Sequence, residues 1–433
     1  MTLRFSRPPR ILFACPQTLF DVSNGASMQA YTMLQALSKL GVRTASFCGG
    51  IFDNPSGKER IPNFDVQLQS DNNHPVRANI DTSANAQNPI RHFFFTGFHS
   101  TRWDDITSGE STKFLLHYVK LLRRFKPDLV IGYGTDALSR ALWGEARLFG
   151  IPTAYLLCNA NHLNYRFPQH DALLCDSQAT SDYYREKEGL TVHPIGNFIN
   201  PAIVVAGERH PKTVTFINPS PQKGAAVVAR LILMANRERP DLVFQVVESR
   251  QKFADVLRSL RAPGGKPGSA FKKATFKNLA VVPARYDVKP IYARTAVLIA
   301  PSLGFESWGR VASEAIMNGI PVLSSDSGGL PEAVGTAGIT LEAPSECLGK
   351  TEAMLTLPSE ASCRPWANAL YRLVDERNSS LWQKRCQETA AQNTMRRCAM
   401  RLLTVLEPLL QRKAGDADFT RRGSIRFPND PLP

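Results

Sequence analysis

The sequence predicts an α/β protein built from two doubly wound domains in tandem. Two observations predict it. Short, continuously apolar runs alternate with amphipathic runs along most of the 433 residues, the pattern of parallel strands covered by helices on both faces. The alternation also runs twice, broken near 196–212 by "GNFINPAIVVAGERHPK", where glycine, proline and a charge cluster mark a linker.

In the first series, "RILFAC" (10–15) reads as a buried strand. "GASMQAYTMLQALSKLG" (25–41) follows as a helix, with Met28, Tyr31, Leu34, Leu37 and Leu40 on one face and Gly41 as its stop. "RTASFC" (43–48), "DLVIGY" (128–133), "PTAYLL" (152–157) and "ALLCD" (172–176) are further buried strands. Residues 55–110 break the rhythm. They are polar, they carry "HFFFTGFHS" (92–100) as an exposed-looking stretch, and they read as an insertion or long variable loop.

The second series opens at "TVTFIN" (213–218), and a helix follows through "AAVVARLILMANRE". "LVFQVVE" (242–248), "LAVVP" (279–283), "AVLIAPS" (296–302), "PVLSSD" (321–326) and "ITLEA" (339–343) are its other strands. Domains are expected at 1–203 and 204–365, with closing helices at 366–411 and a disordered tail at 412–433. In such sheets ligands bind beyond the carboxyl ends of the strands, here in a cleft where the two domains face each other.

Hydrophobic content of 43% and charged content of 21% fit a globular chain. The net charge of +14 is diffuse, without a basic stripe interleaved with aromatics, so no nucleic-acid partner is expected. Peripheral contact with an anionic membrane stays open. None of the eight cysteines forms a C-x-x-C pair, and a reducing, cytoplasmic setting follows, extending to the inner membrane face if that contact forms. No run approaches a membrane span, and "ILFAC" is too short for a signal-peptide core. No histidine pair has metal-ligand spacing; "DAD" (416–418) and Asp104–Asp105 read as solvated, so no metal and no cofactor are expected. A G-x-G-x-x-G after the first strand, a G-x-S-x-G elbow and a Walker loop are all lacking.

The chemistry concentrates in "GFESWGRVASEAIMNGIPV" (304–322). Gly304–Trp308 follows a strand, and a helix begins at Gly309, whose first turn suits a phosphate. Glu314 lies about one and a half turns in, placed to accept hydrogen bonds from a sugar diol beyond that phosphate. Glu306, in the loop, can accept from a second sugar. Such a pair suits a diphosphate flanked by two sugars, a nucleotide-sugar. The alternative is that both acids are merely solvated. A second loop, "SDSGGLPEAVG" (325–335), offers Gly328–Gly329 for close backbone approach.

The stretch "PSLGFESWGRVASEAIMNGIPVLSSDSGGLPEAVG" (301–335) resembles the signature of family 4 of the glycosyltransferases. The matching residues are Glu306, Gly309, Glu314–Ala315, Gly328–Gly329 and Glu332. The resemblance implies a GT-B fold of two Rossmann-like domains and a retaining, metal-independent transfer of a sugar from a nucleoside diphosphate sugar. It implies that Glu314 holds the ribose and Glu306 contacts the transferred sugar. Ser307 and the helix start, Trp308, Gly309, Arg310 and Val311, would receive the diphosphate. "INPSPQKGA" (217–225) is similar to the family's first loop of the second domain, so Lys223 would neutralise the leaving diphosphate. The family has an arginine where this chain has Asn218; Arg285 is the candidate substitute. "SNGASMQAYTMLQAL" (23–37) resembles the family's first Gly-rich turn, placing Gly25 near the donor phosphates, although a helix start capped by Ser23 or Asn24 fits equally. The family's first-domain histidine falls near Cys158 or Asn159; His162 is the candidate, with a structural or solvent role as the alternative. The acceptor is unknown, a glycan or lipid-linked hydroxyl among the options. The rival readings are a non-catalytic nucleotide- or partner-binding protein of this fold and a nucleotide-sugar epimerase.

Overall fold

A computed structural model describes residues 5, 7–53, 75–249, 251–270, 276–285 and 287–411. The expected tail at 412–433, with its "DAD", and the part of the expected insertion at 55–74 lie outside them. The described residues form two compact units, one drawn from 1–176, 181–198 and 395–411, the other from 177–180 and 199–394.

The first unit holds strands β1 (Arg10–Gln17), β2 (Arg43–Ile51), β3 (Val76–Asp81), β4 (Ile90–Phe95), β5 (Leu129–Gly132), β6 (Thr153–Leu157), β7 (Ala172–Cys175) and β8 (His193–Pro194). They form one sheet in the order β3-β4-β2-β1-β5-β6-β7-β8. All pairs are parallel except β3 with β4. Side chains alternate across a strand, and β1 feeds two cores. Ile11 and Phe13 join Met33 and Leu34 of α1 (Gly25–Lys39) on one face. Leu12 and Ala14 meet Phe114 of α2 (Ser108–Phe125) and Trp143 of α3 (Ala137–Leu148) on the other. Helix starts are locally specified. Asn24 caps α1 by accepting from the Ala26 N–H, and Thr107 and Glu110 form a capping box on α2.

Residues 92–95 correct the sequence reading, whereas His99 beyond them is exposed. His92 and Phe95 are buried at 2% and 0% exposure in β4, which lies parallel to β2. Phe95 packs on Phe114, and His92 packs against Phe20 and Tyr31. Ser46 Oγ lies 2.7 Å from His92 Nδ1, and Asp81 Oδ2 lies 3.7 Å from Nε2. The run looks exposed in sequence because its polar partners come from two other strands, β2 and β3.

The second unit has strands β9 (Thr213–Ile217), β10 (Val243–Val247), β11 (Leu279–Val282), β12 (Thr295–Ala300), β13 (Val322–Ser325) and β14 (Gly338–Leu341), ordered β11-β10-β9-β12-β13-β14. Every pair is parallel. Val297 and Ile299 face the core under α6 (Ala225–Glu238), numbering after α4 (Gln178–Glu188) and α5 (Pro201–Val204). Leu298 and Ala300 face a second core with Tyr292 of α8 (Lys289–Arg294), the helix after α7 (Phe253–Ser259), and Ala312 and Ala315 of α9 (Arg310–Met317). Strand order reverses at β9, which is flanked by β10 and β12, so the ligand crevice of this sheet is expected beyond the carboxyl ends of β9 and β12.

The closing segment forms α12 (Glu360–Asp375), α13 (Ser380–Gln392) and α14 (Met395–Leu410), after α10 (Leu330–Val334) and α11 (Thr351–Met354). Cys386 of α13 joins the second unit's core, whereas Cys398, Leu402 and Leu406 of α14 join the core of the first. All eight cysteines are free thiols. Among the described residues, no helix is long and apolar enough to cross a membrane.

Candidate functional site

Three loops of the second unit interlock beyond β9, β12 and β13. The Gln222 carbonyl accepts from the Leu303 and Gly304 N–H groups at 2.8 and 3.1 Å. Ser325 Oγ donates to the Ser302 carbonyl at 2.7 Å, and Ser327 Oγ to the Gly304 carbonyl at 2.6 Å. The Gly329 N–H donates to the Glu306 carbonyl at 2.7 Å. Two of these approaches require glycine. Gly224 (φ 84°) and Gly328 (φ 54°) are left-handed, and their absent side chains make room for the carbonyls of Pro301 and Glu306.

This cage fixes the backbone of Glu306. Its Oε1 accepts from Ser302 Oγ at 2.6 Å and is paired with the Lys223 ammonium. Lys223 ends a short turn, Pro221–Lys223, that Ser220 caps. The Lys223 side chain is 37% exposed and that of Glu306 13%, so the pair borders solvent.

Helix α9 starts at Gly309, which has φ 102° and no side chain to cap the first turn. A Cβ there would lie 2.4 Å from Leu330 Cδ2. No side chain therefore caps the first turn, the arrangement that receives anions. Trp308 is buried at 5% exposure, and its indole N–H donates to Ser313 Oγ at 2.8 Å. Its side chain therefore locks the loop to the helix, and only its backbone is available to a ligand. Ser307 is half-buried, and its carbonyl lies against Gly329. Val311 packs on the core beneath α9.

Glu314 points into a closed environment, with its side chain 8% exposed. Arg310 Nε lies 2.8 Å from its Oε1, an ion pair off the line of a hydrogen bond, and the Tyr292 hydroxyl donates to its Oε2 at 2.7 Å. Tyr292 is fully buried. Burial, and then the Glu314 charge, push its phenol well above the ordinary range, so it stays a proton donor.

Asn218, at the end of β9, is left-handed with φ 64°. Its N–H donates to the Val247 carbonyl at 2.9 Å. Asparagine adopts this conformation at lower cost than most residues. Arg285 is exposed on the loop after β11, an edge strand two removed from β9. Among the described residues, no hydrogen bond or ion pair joins it to Lys223, Glu306 or Glu314.

Gly25 and His162 belong to the first unit. Gly25 opens α1, and a side chain there would meet open space, so the fold itself does not require glycine. His162 follows β6, half-buried, edge-on to Tyr155 and Phe167. Its backbone N–H donates to Tyr184 Oη at 3.1 Å, and burial lowers its pKa.

Ser302 and Tyr292 escaped the sequence reading. Ser302 lies two residues past β12 and four before Glu306, a weak local signal. Tyr292 is 22 residues from Glu314 and reaches it only because α8 packs beside α9. Among the described residues, no cluster of three or more His, Cys, Asp or Glu could hold a metal ion.

Residues 222–357 match the family described as "Glycosyl transferases group 1". The matched segment lies within the second unit. The match spans Lys223, Glu306, Glu314 and Gly328, the residues of the interlocked loops and of α9. No curated protein matches the chain. Solved structures align along nearly all of it. A glycosyltransferase from Rickettsia africae has a TM-score of 0.62 at 10% identity, covering 94% of this chain and 100% of that one. Anabaena HepE in complex with UDP and glucose has a TM-score of 0.59 at 14% identity, covering 92% and 100%. The pneumococcal O-GlcNAc transferase GtfA in complex with UDP and GlcNAc has 0.61 at 11% identity, covering 93% and 99%. The fold is that of the GT-B glycosyltransferases, two Rossmann-like α/β domains.

Proposed function

We propose that the protein is a retaining glycosyltransferase that moves a sugar from a nucleoside diphosphate sugar to an acceptor hydroxyl. One observation carries the reading. Within the matched segment, Lys223 and Glu306 meet beyond β9 and β12, beside the uncapped start of α9.

In this reading the diphosphate lies at the first turn of α9, where N–H groups and Lys223 offset its charge. Glu314 accepts from the ribose hydroxyls, and Glu306, steadied by Ser302, accepts from the transferred sugar. The bond between the anomeric carbon and the phosphate oxygen breaks as the acceptor oxygen bonds to that carbon on the same face. The acceptor proton passes to the departing diphosphate, so the chain need supply no base. This is consistent with a His162 half-buried among aromatics. No metal and no cofactor enter the scheme.

Lys223→Ala tests it. Loss of a cation that acts on the leaving group should lower kcat/KM by about 10²–10³. The side chain is over a third exposed, so the unfolding midpoint should barely move. Wild-type turnover in this variant, with donors found by a thermal-shift screen of UDP-, GDP- and ADP-sugars, would overturn the assignment. A second reading, nucleotide binding without transfer, is favoured by Asn218, which places no cation at the end of β9. Donor hydrolysis or transfer by the wild type eliminates it.

A further inference from the structure

Each of the two glutamates of the site is neutralised by its own cation: Glu306 by Lys223, and Glu314 by Arg310. The second pair is the more enclosed. Arg310 is 17% exposed and Glu314 8%, against 37% and 13% for the first. Arg310 is also the first residue of α9, so its guanidinium springs from the turn whose N–H groups attract anions. Its pairing with Glu314 therefore holds a cation beside an anion site and, at the same time, covers an acceptor oxygen.

A nucleoside diphosphate complements both halves of that pair. Its phosphates match a guanidinium fork better than a single carboxylate oxygen does. Its ribose hydroxyls can then donate to the oxygen that Arg310 vacates. Glu314 would not be left adrift, because the Tyr292 hydroxyl holds Oε2 at 2.7 Å and Asn318 Nδ2 holds its carbonyl at 2.8 Å. Resting on the donor reading above, we propose that the Arg310 side chain is a diphosphate ligand that exchanges from Glu314 to the donor on binding. Tyr292 is the positioning residue that keeps Glu314 aimed at the ribose throughout. The Arg310–Glu314 pair is then a resting state of the site, and donor binding opens it.

The two residues should leave different signatures. Nucleoside and nucleoside diphosphate affinities are measured by ligand-observed NMR titration, using uridine with UDP, guanosine with GDP and adenosine with ADP. Arg310→Gln should weaken the bound diphosphate by about 10-fold or more and leave its nucleoside unchanged or tighter, because Oε1 is uncovered. Arg310→Lys should recover part of the loss. Tyr292→Phe should weaken both ligands by the same factor, because it acts through the ribose contact. Retained nucleoside binding shows that each variant's site is folded. If Arg310→Gln weakens both ligands equally, or leaves the diphosphate unchanged, the exchange is wrong while the donor reading stands. If the wild type binds none of the three diphosphates, the donor reading falls and the exchange falls with it.

Discussion

A Cβ at Gly224 would lie 1.9 Å from the carbonyl oxygen of Pro301. This contact presses the loop after β9 against the loop after β12, and it sets where Lys223 can meet Glu306. The left-handed backbone at Gly224 and the close carbonyl act together: an L side chain would carry both the conformational cost and a clash with rigid backbone.

Gly224→Ala should therefore be more damaging than its size suggests. The backbone conformation alone costs about 1–3 kcal/mol, and relief of the clash must part the loops. We expect a lower urea midpoint together with loss of transfer. An alanine variant of full activity would show that the loops need not touch.

Glu314 calls for care in choosing its variant. Alanine would strand Arg310 and the buried Tyr292 hydroxyl, a loss of about 3 kcal/mol by comparison with other broken buried pairs. Inactivity of Glu314→Ala would then report unfolding as much as chemistry. Glu314→Gln keeps the shape and an acceptor for Tyr292, and should cost about 1 kcal/mol. Its expected effect is a raised donor KM with a smaller change in kcat. Equal stability of the two variants by urea denaturation would show that the contacts of Arg310 and Tyr292 contribute little.

The sequence exposes what is local and hides what the fold assembles. Strands β1, β2, β5 to β7 and β9 to β14 are legible because such parallel strands are continuous apolar runs, as in "VLIA" of β12, whereas the polar β3 and the two-residue β8 carry no such run. β4 is misjudged because the histidine of "IRHFFF" finds partners on two other strands, Ser46 of β2 and Asp81 of β3. Glu306 and Glu314 stand out through their spacing across a single loop and helix. Their partners divide by the same rule. Lys223, in the loop six residues beyond β9, is marked only by the resemblance of "INPSPQKGA" to a family loop. Tyr292 is not marked, because only the packing of α8 beside α9 brings it to Glu314.

Acid should weaken the first unit through a histidine the proposed chemistry does not use. His170 sits against Trp143 and Tyr155, with ring centroids 5.1 Å away in each case. Neither ring nitrogen has a hydrogen-bond partner among the described residues. Burial, with the nearby Arg147 charge, pushes its pKa down to about 3. The folded state therefore keeps His170 neutral, whereas the unfolded chain takes up a proton near pH 6.5. Stability is fully present above that pH and is lost as pH falls from about 6.5 toward about 3. At pH 5 the loss from this one group is roughly 2 kcal/mol. Urea midpoints of wild type and His170→Leu at pH 7 and pH 5 measure it. The variant should lose less stability between the two pH values, though not be level, because burial also lowers His117, to about 4. An identical pH dependence in wild type and variant would show that His170 is hydrated or proton-accessible in the folded protein.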